Sequence, residues 1–392
     1  MMHSRKHSLK DRFWDLIKSP FAFNKTGYHA PDYIFAGSLG LIVVVGLLML
    51  SSASSVQSFK DFGDVYYLFK HQFISGIIPG VIAFYIASRI DYQVWKKYAL
   101  WMLLATVVLL VAVFIPGIGA NYDKSQSWIN LGFFGFQPTE IVKLTFLIYL
   151  ATWLEKRGKQ GLRDSQTSFL PFMSLLGVLA FLILAQPDTG TLAVIITISL
   201  VVYFIAEAPL KHLTIIVGLF AFMVFIAIQI APYRLARITA FLHPDIDPQG
   251  IGYQVNQAKL AVGSGGFFGL GIGKSRQKFS YLPEVSGDSI FAVIAEEMGF
   301  FFSILLIGLF ITLGIRGLKI ARASPDVFGK LLATGITTWL IFQALINIGA
   351  IIGIMPLTGI PLPFVSYGGT ATVVGLFACG ILLNISKQTR NA

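Results

Sequence analysis

One cysteine, six histidines and 12% charged residues are all that these 392 residues offer for redox, metal and surface chemistry. The lone thiol, Cys379, has no partner in the chain, which excludes an intrachain disulfide; set in an apolar run, it reads as packing. None of the histidines falls at a zinc-type spacing and no GxxxxGK[ST] phosphate loop occurs, so the sequence indicates neither a metal site nor a nucleotide hydrolase. The net charge of +11 lacks the basic block with interleaved aromatics that nucleic acid requires, and no nucleic-acid partner is expected. The first 30 residues are mixed polar and basic rather than a short apolar region before a small-residue cleavage site, so the first helix is expected to target the chain. No fixed-period repeat, heptad or low-complexity tract is found. An ordinary soluble domain carries roughly 25% charged residues, and a chain with half that does not have water as its main solvent.

What is present is apolar. Hydrophobic residues make up 55% of the chain, with 34 Phe and a mean hydropathy of +0.73. Runs of near 20 residues are long enough to cross about 30 Å of hydrocarbon. Apolar stretches lie near residues 34–54, 68–88, 98–116, 138–154, 169–185, 190–207, 212–231, 290–315, 330–352 and 366–385. The expected fold class is therefore an all-α polytopic membrane protein with ten transmembrane helices. Placing the N-terminus inside puts 20 of the 30 Lys and Arg on cytoplasmic segments, as the positive-inside bias requires. An even number of spans then returns the C-terminus to the cytoplasm. This divides the chain into a cytoplasmic tail (1–33), a ten-helix membrane domain (34–386) and a second cytoplasmic tail (387–392). Within the domain, residues 232–289 form a large extracytoplasmic loop between helices 7 and 8. Its alternating glycines and aromatics, from Gly263 to Gly273, suggest backbone packed close to a surface or re-entering the membrane.

Ionisable side chains at membrane depth are costly, so each is a functional candidate by default. Glu140 and Lys143 lie three apart on one helix face, readable as a functional pair or as an internal ion pair offsetting its own burial. Asp188 reads as a helix cap in a turn. Asp288 sits where the polar loop meets an apolar helix, with Glu284 four residues earlier. A carboxylate there can serve as general base, with Lys274, Arg276 and Lys278 holding a diphosphate; capping the next helix is its structural alternative. Glu296 and Glu297, two turns further in, must face the bundle interior or a cavity.

Five segments in this order carry a resemblance: residues 127–143 (SWINLGFFGFQPTEIVK), 185–191 (AQPDTGT), 253–284 (YQVNQAKLAVGSGGFFGLGIGKSRQKFSYLPE), 288–299 (DSIFAVIAEEMG) and 355–370 (MPLTGIPLPFVSYGGT). Together they resemble the SEDS family of bacterial cell-wall polymerases, which comprises FtsW, RodA and SpoVE. Residues 273–284 and 343–349 look like the FtsW and SpoVE branch. The resemblance implies a ten-helix fold and a peptidoglycan glycosyltransferase joining lipid II, an undecaprenyl-diphosphate-linked unit, into glycan strands at the outer face of the inner membrane. It implies that Asp288 deprotonates the acceptor hydroxyl and that Glu140 and Lys143 form a required polar pair. Implied partners are a class B penicillin-binding transpeptidase and other divisome membrane proteins at the septum. The resemblance also leaves room for a divalent cation, magnesium or manganese. Two departures stand out: Ser286-Gly287-Asp288-Ser289 replaces the usual His-Thr-Asp-Phe, and Ser127 replaces an Arg before Trp128. The alternatives are a RodA-like elongation polymerase and a lipid II flippase or other transporter, which would hold its charges at a midplane repeat interface.

Overall fold

The computed structural model describes residues 29–122, 125–130, 135–230, 232–243 and 250–389. Residues 1–28 and 390–392 of the two expected tails, and residues 244–249 of the long loop, lie outside the described residues. The chain runs through α1 (Tyr33–Ala53), α2 (Ser55–Phe62), α3 (Tyr67–Arg89) and α4 (Gln93–Ala112) into a small sheet of β1 (Gly119–Tyr122), β2 (Ser125–Asn130) and β3 (Gly135–Phe136). Then follow α5 (Pro138–Gly161), α6 (Ser165–Ala185), α7 (Thr189–Ile205), α8 (Leu210–Ile230), α9 (Pro232–Leu242), α10 (Ile251–Ser264), α11 (Ile290–Ala323), α12 (Val327–Ile351) and α13 (Gly369–Ser386).

Each of the ten apolar segments read from the sequence is helical over most of its described residues. Seven helices, α1, α3, α4, α6, α11, α12 and α13, are long and apolar enough to cross a membrane. Of the remaining three, α5 carries Glu140 and Lys143 near one end and Glu155, Lys156, Arg157 and Lys159 near the other, while α7 has only 17 residues. The all-α expectation needs one correction. Between α4 and α5 the strands pair antiparallel in the order β1-β2-β3, with Gly119 opposite Ile129 and Ile129 opposite Phe136. Alternation drives this: Ile129 turns inward and its neighbour Asn130 stays exposed, the period of a half-buried strand.

The seven long apolar helices have little amphipathicity, so their burial follows position in the bundle. Central α12 buries residues on every side, from Phe328 and Leu332 to Trp339 and Ile351. Peripheral α1 buries Phe35, Leu39, Ile42, Met49 and Leu50 on one stripe and exposes Leu41, Val44 and Leu48 on the other. Exposed large apolar side chains on such faces fit contact with hydrocarbon.

Two polar ends are distinct. At one, Arg316 donates to Asp32 at 2.8 Å, Tyr92 bonds Asp326, and Asn384 donates to the Ser88 carbonyl at 3.1 Å. At the other, here the Asp288 end, Ser52 of α1 meets Glu297, Gln72 of α3 donates to Thr372 at 2.8 Å, and the Gln137 amide before α5 donates to Thr370 at 3.2 Å.

The glycine-rich stretch of the long loop makes the expected close backbone approach. Helix α11 breaks at Gly299 (φ 78°, ψ −176°), a conformation only glycine adopts at low cost. The break frees carbonyls at Glu296 and Glu297, which accept from the amides of Leu270 and Gly271 at 2.9 Å each. A β-carbon on Gly299 would lie 2.2 Å from the Gly269 nitrogen. The loop is thus laced to the helix that follows Asp288.

Candidate active site

Asp288 lies in a tight turn fastened on several sides. Asn347 of α12 donates to the Asp288 carbonyl at 2.7 Å, Ser366 to the Gly287 carbonyl at 2.7 Å, and the Tyr367 amide to the Ser286 carbonyl at 2.8 Å. The amides of Gly287 and Ser289 turn back onto the Glu284 carbonyl, and Glu284 sits in the left-handed region at φ 51°. For a non-glycine residue that conformation costs roughly 1–2 kcal/mol, and it persists because the surrounding bonds over-determine it.

The carboxylate is not a helix cap. Helix α11 starts from Ser289 with no side-chain cap, whereas Asp188 does cap α7, accepting from the Thr191 amide at 2.9 Å. Asp288 Oδ1 instead accepts from Gln254 Nε2 of α10 at 3.4 Å and Ser289 Oγ at 3.3 Å. Its Oδ2 faces Gly359, as does Arg237 of α9. A β-carbon at position 359 would meet Arg237 Nη1 at 3.8 Å and Asp288 Oδ2 at 3.9 Å. Burial pushes the Asp288 carboxyl up to about 6, and the negative Glu284 adds to the rise; Arg237 and the Ser289 hydroxyl pull it back. A carboxylate near that value is still ionised at neutral pH yet is a stronger base than an exposed one.

Glu140 and Lys143 form a second centre. Both are buried, with Nζ 2.8 Å from Glu140 Oε1, 3.1 Å from Gln343 Oε1, and 5.0 Å from the Trp339 ring centre. Glu140 Oε2 has no hydrogen-bond partner among the described residues, and the Glu140 residue lines a small cavity with Gln343, Pro361, Ser366 and Thr372. Gln343 and Asn347, one turn apart on α12, connect the two centres. Gln343 donates to the Pro361 carbonyl at 2.9 Å and Asn347 to the Ile360 carbonyl at 2.8 Å, so one helix face supports both through the 356–368 segment. Leu357, Ile360, Leu362 and Phe364 of that segment are buried and plug the bundle.

The three basic loop residues part company. Lys274 and Arg276 are exposed. Lys278 is buried, 2.9 Å from Glu297 Oε1 and 3.1 Å from Ser52 Oγ. Glu296 accepts from the Arg276 amide at 2.9 Å and from Ser275 Oγ, so both inward carboxylates pin the 274–278 turn. Ser127, which replaces the family's usual Arg, donates to the Gln186 carbonyl at 3.1 Å and ties the sheet to the C-terminal end of α6. Sequence reasoning passed over Arg237, Gln254, Gln343 and Asn347. The i,i+4 pair of amides inside apolar α12 was a readable signal; Arg237 was hidden in a loop whose charges look alike.

Among the described residues no three of His, Cys, Asp and Glu converge as a metal cage. Asp288 and Glu284 are the carboxylates at the site, with Arg237 supplying a cation beside them. That set does not fit a resident divalent ion.

These features define a mostly helical bundle with helices long and apolar enough to cross a membrane and a carboxylate of raised pKa at one end. The chain belongs to the FtsW/RodA/SpoVE family of cell cycle proteins, whose profile matches residues 33–391. It is 39% identical to stage V sporulation protein E of Bacillus subtilis over 362 residues, 92% of this chain and 98% of that one. It is 41% identical over 380 residues to the probable peptidoglycan glycosyltransferase FtsW of Trichlorobacter lovleyi, covering 96% and 97% of the two chains. Among solved structures, the rod shape determining protein RodA of Thermus thermophilus aligns with a TM-score of 0.68 at 26% identity, over 93% of this chain and 99% of that one. A chain from a peptidoglycan synthase complex studied for its coordination of polymerization and crosslinking aligns at 0.76 and 27% identity, over 92% and 98%.

Proposed function

We propose that the chain is a peptidoglycan glycosyltransferase that polymerises lipid II into glycan strands, serving septal wall synthesis. The observation that carries this reading is Asp288: a carboxyl raised to about 6, capping no helix, with Arg237 across Gly359. The naming of relatives near 40% identity as probable peptidoglycan glycosyltransferases supports it.

In this mechanism the Asp288 carboxylate takes the proton of the acceptor sugar hydroxyl as its oxygen bonds to the donor's anomeric carbon. The bond from that carbon to the lipid diphosphate breaks, and the diphosphate leaves with the electron pair. Arg237 stands where it can meet the leaving charge, with Lys274 and Arg276 at the loop surface assisting. Lys278 holds its turn in place through Glu297. Glu140 and Lys143 brace the 356–368 segment through Gln343.

Ten spans with both termini in the cytoplasm fit this assignment, since Arg89, Lys96, Lys156, Arg316 and Lys387 all belong to the end opposite Asp288. The Asp288 end, with the loop 232–289, then faces outward at the inner membrane. A membrane-anchored class B penicillin-binding transpeptidase is the proposed partner, supported by the likeness to a chain from a synthase complex. The test is incubation of purified protein, alone and with its cognate transpeptidase, with labelled lipid II. Strands on a gel are expected; lipid II crossing vesicle bilayers without strand formation would favour a transporter instead.

A further inference from the structure

Four rings form a ladder at the Asp288 end, apart from the groups assigned to proton transfer and diphosphate binding. Phe62 stacks on Tyr67 with centroids 3.9 Å apart and planes 17° apart. Tyr67 lies over His71 at 6.2 Å and 20°, and His71 meets Tyr367 at 5.9 Å and 44°. The Tyr367 hydroxyl and His71 Nδ1 are 2.8 Å apart, which fixes both rings. Phe62 is 51% exposed and Tyr67 39%, although the two rings already stack on each other.

The ladder is anchored to the catalytic turn at both ends through one residue. Ser286, two positions before Asp288, donates from Oγ to Gln57 Oε1 at 2.8 Å, and Gln57 lies on α2, the helix that carries Phe62. The carbonyl of the same Ser286 accepts from the Tyr367 amide at 2.8 Å. The rings are therefore held in register with the carboxylate by side chains from α2, α3 and the 356–368 segment.

We propose that Phe62, Tyr67, His71 and Tyr367 form a saccharide platform that holds the glycan strand beside the catalytic turn. Pyranose rings present faces of polarised C–H bonds that pack on π faces, and their hydroxyl and acetamido groups suit the His71 and Tyr367 polar tips. The rings are stiff, so binding orders few torsions. An anchor in the membrane interface is the competing role for exposed aromatics. Two features favour sugar: the rings are fastened to the catalytic turn, and they are stacked upon one another instead of spread around the bundle. This inference rests on the polymerase reading.

The test uses the full chain in detergent and the double variant Phe62→Leu, Tyr67→Leu, which keeps apolar surface for an interface anchor but removes the π faces. Binding of soluble β-1,4-linked N-acetylglucosamine oligomers is followed by saturation-transfer NMR, and strand length by gel after incubation with labelled lipid II. Each lost aromatic contact should weaken binding roughly two- to tenfold, and the double variant should make shorter strands. Unchanged oligomer binding and unchanged strand length overturn the platform alone. A double variant that binds sugar normally but is lost from membranes overturns it in favour of an interface anchor. A wild-type chain that makes no strands overturns the polymerase reading itself.

Discussion

Replacing Asp288 by Asn should stabilise the protein at alkaline pH while removing its activity. The carboxyl titrates near 3.8 when unperturbed and near 6 in the folded chain, because burial and Glu284 oppose its charge. The folded state therefore binds the proton more tightly than the unfolded one. Stability from this group is fully present below about pH 4 and is lost as pH rises through about 6. A difference of about two pH units at about 1.4 kcal/mol each gives about 3 kcal/mol, an upper value because the side chain is partly exposed. Asparagine keeps the shape and the contacts to Gln254 and Ser289 but carries no charge to desolvate. Melting curves in detergent should then superimpose near pH 4 and separate above pH 6, with the variant melting higher. A variant that melts lower than wild type by the same margin at every pH would refute the desolvation argument and restore a structural role for the carboxylate.

The pH dependence of polymerisation should follow the same neighbours. In kcat/KM profiles, Glu284→Gln should move the acidic limb to lower pH and Arg237→Gln to higher pH; limbs that stay put would separate both residues from the base. Lys274→Gln with Arg276→Gln should raise the KM for lipid II more than it lowers kcat, and unchanged kinetics would mark the pair as a solvated surface. Lys278→Met should act on folding instead, costing roughly 3–5 kcal/mol by leaving Glu297 buried and unpaired. Adding Glu297→Leu should recover most of the loss, and a stable single variant would show that the pair contributes little.

The helices were legible because their signal is compositional. Runs such as residues 34–54 carry no ionisable residue, and only a helix satisfies its own backbone in hydrocarbon. The candidate site was legible at Asp288, Glu140 and Lys143 for the converse reason, since charge beside apolar runs is rare and conspicuous. What the sequence hid was the fate of charges within the long loop. Lys274, Arg276 and Lys278 look equivalent in a line, yet the turn pinned by Glu296 exposes the first two and buries the third against Glu297. Arg237 was illegible because Asp288, whose charge it stabilises, lies 51 residues along the chain and both approach Gly359. The small sheet was obscured by length: strands of two to six residues carry too few alternations to register.

The most direct test of the central claim is lipid II turnover by Asp288→Asn at matched protein amounts, in detergent and with the cognate transpeptidase present. Loss of a general base should slow glycan formation by roughly a hundred- to ten-thousand-fold, with the protein folded and membrane-inserted. Strands made by the variant at near wild-type rate would contradict the mechanism and move the search for the base to Glu140.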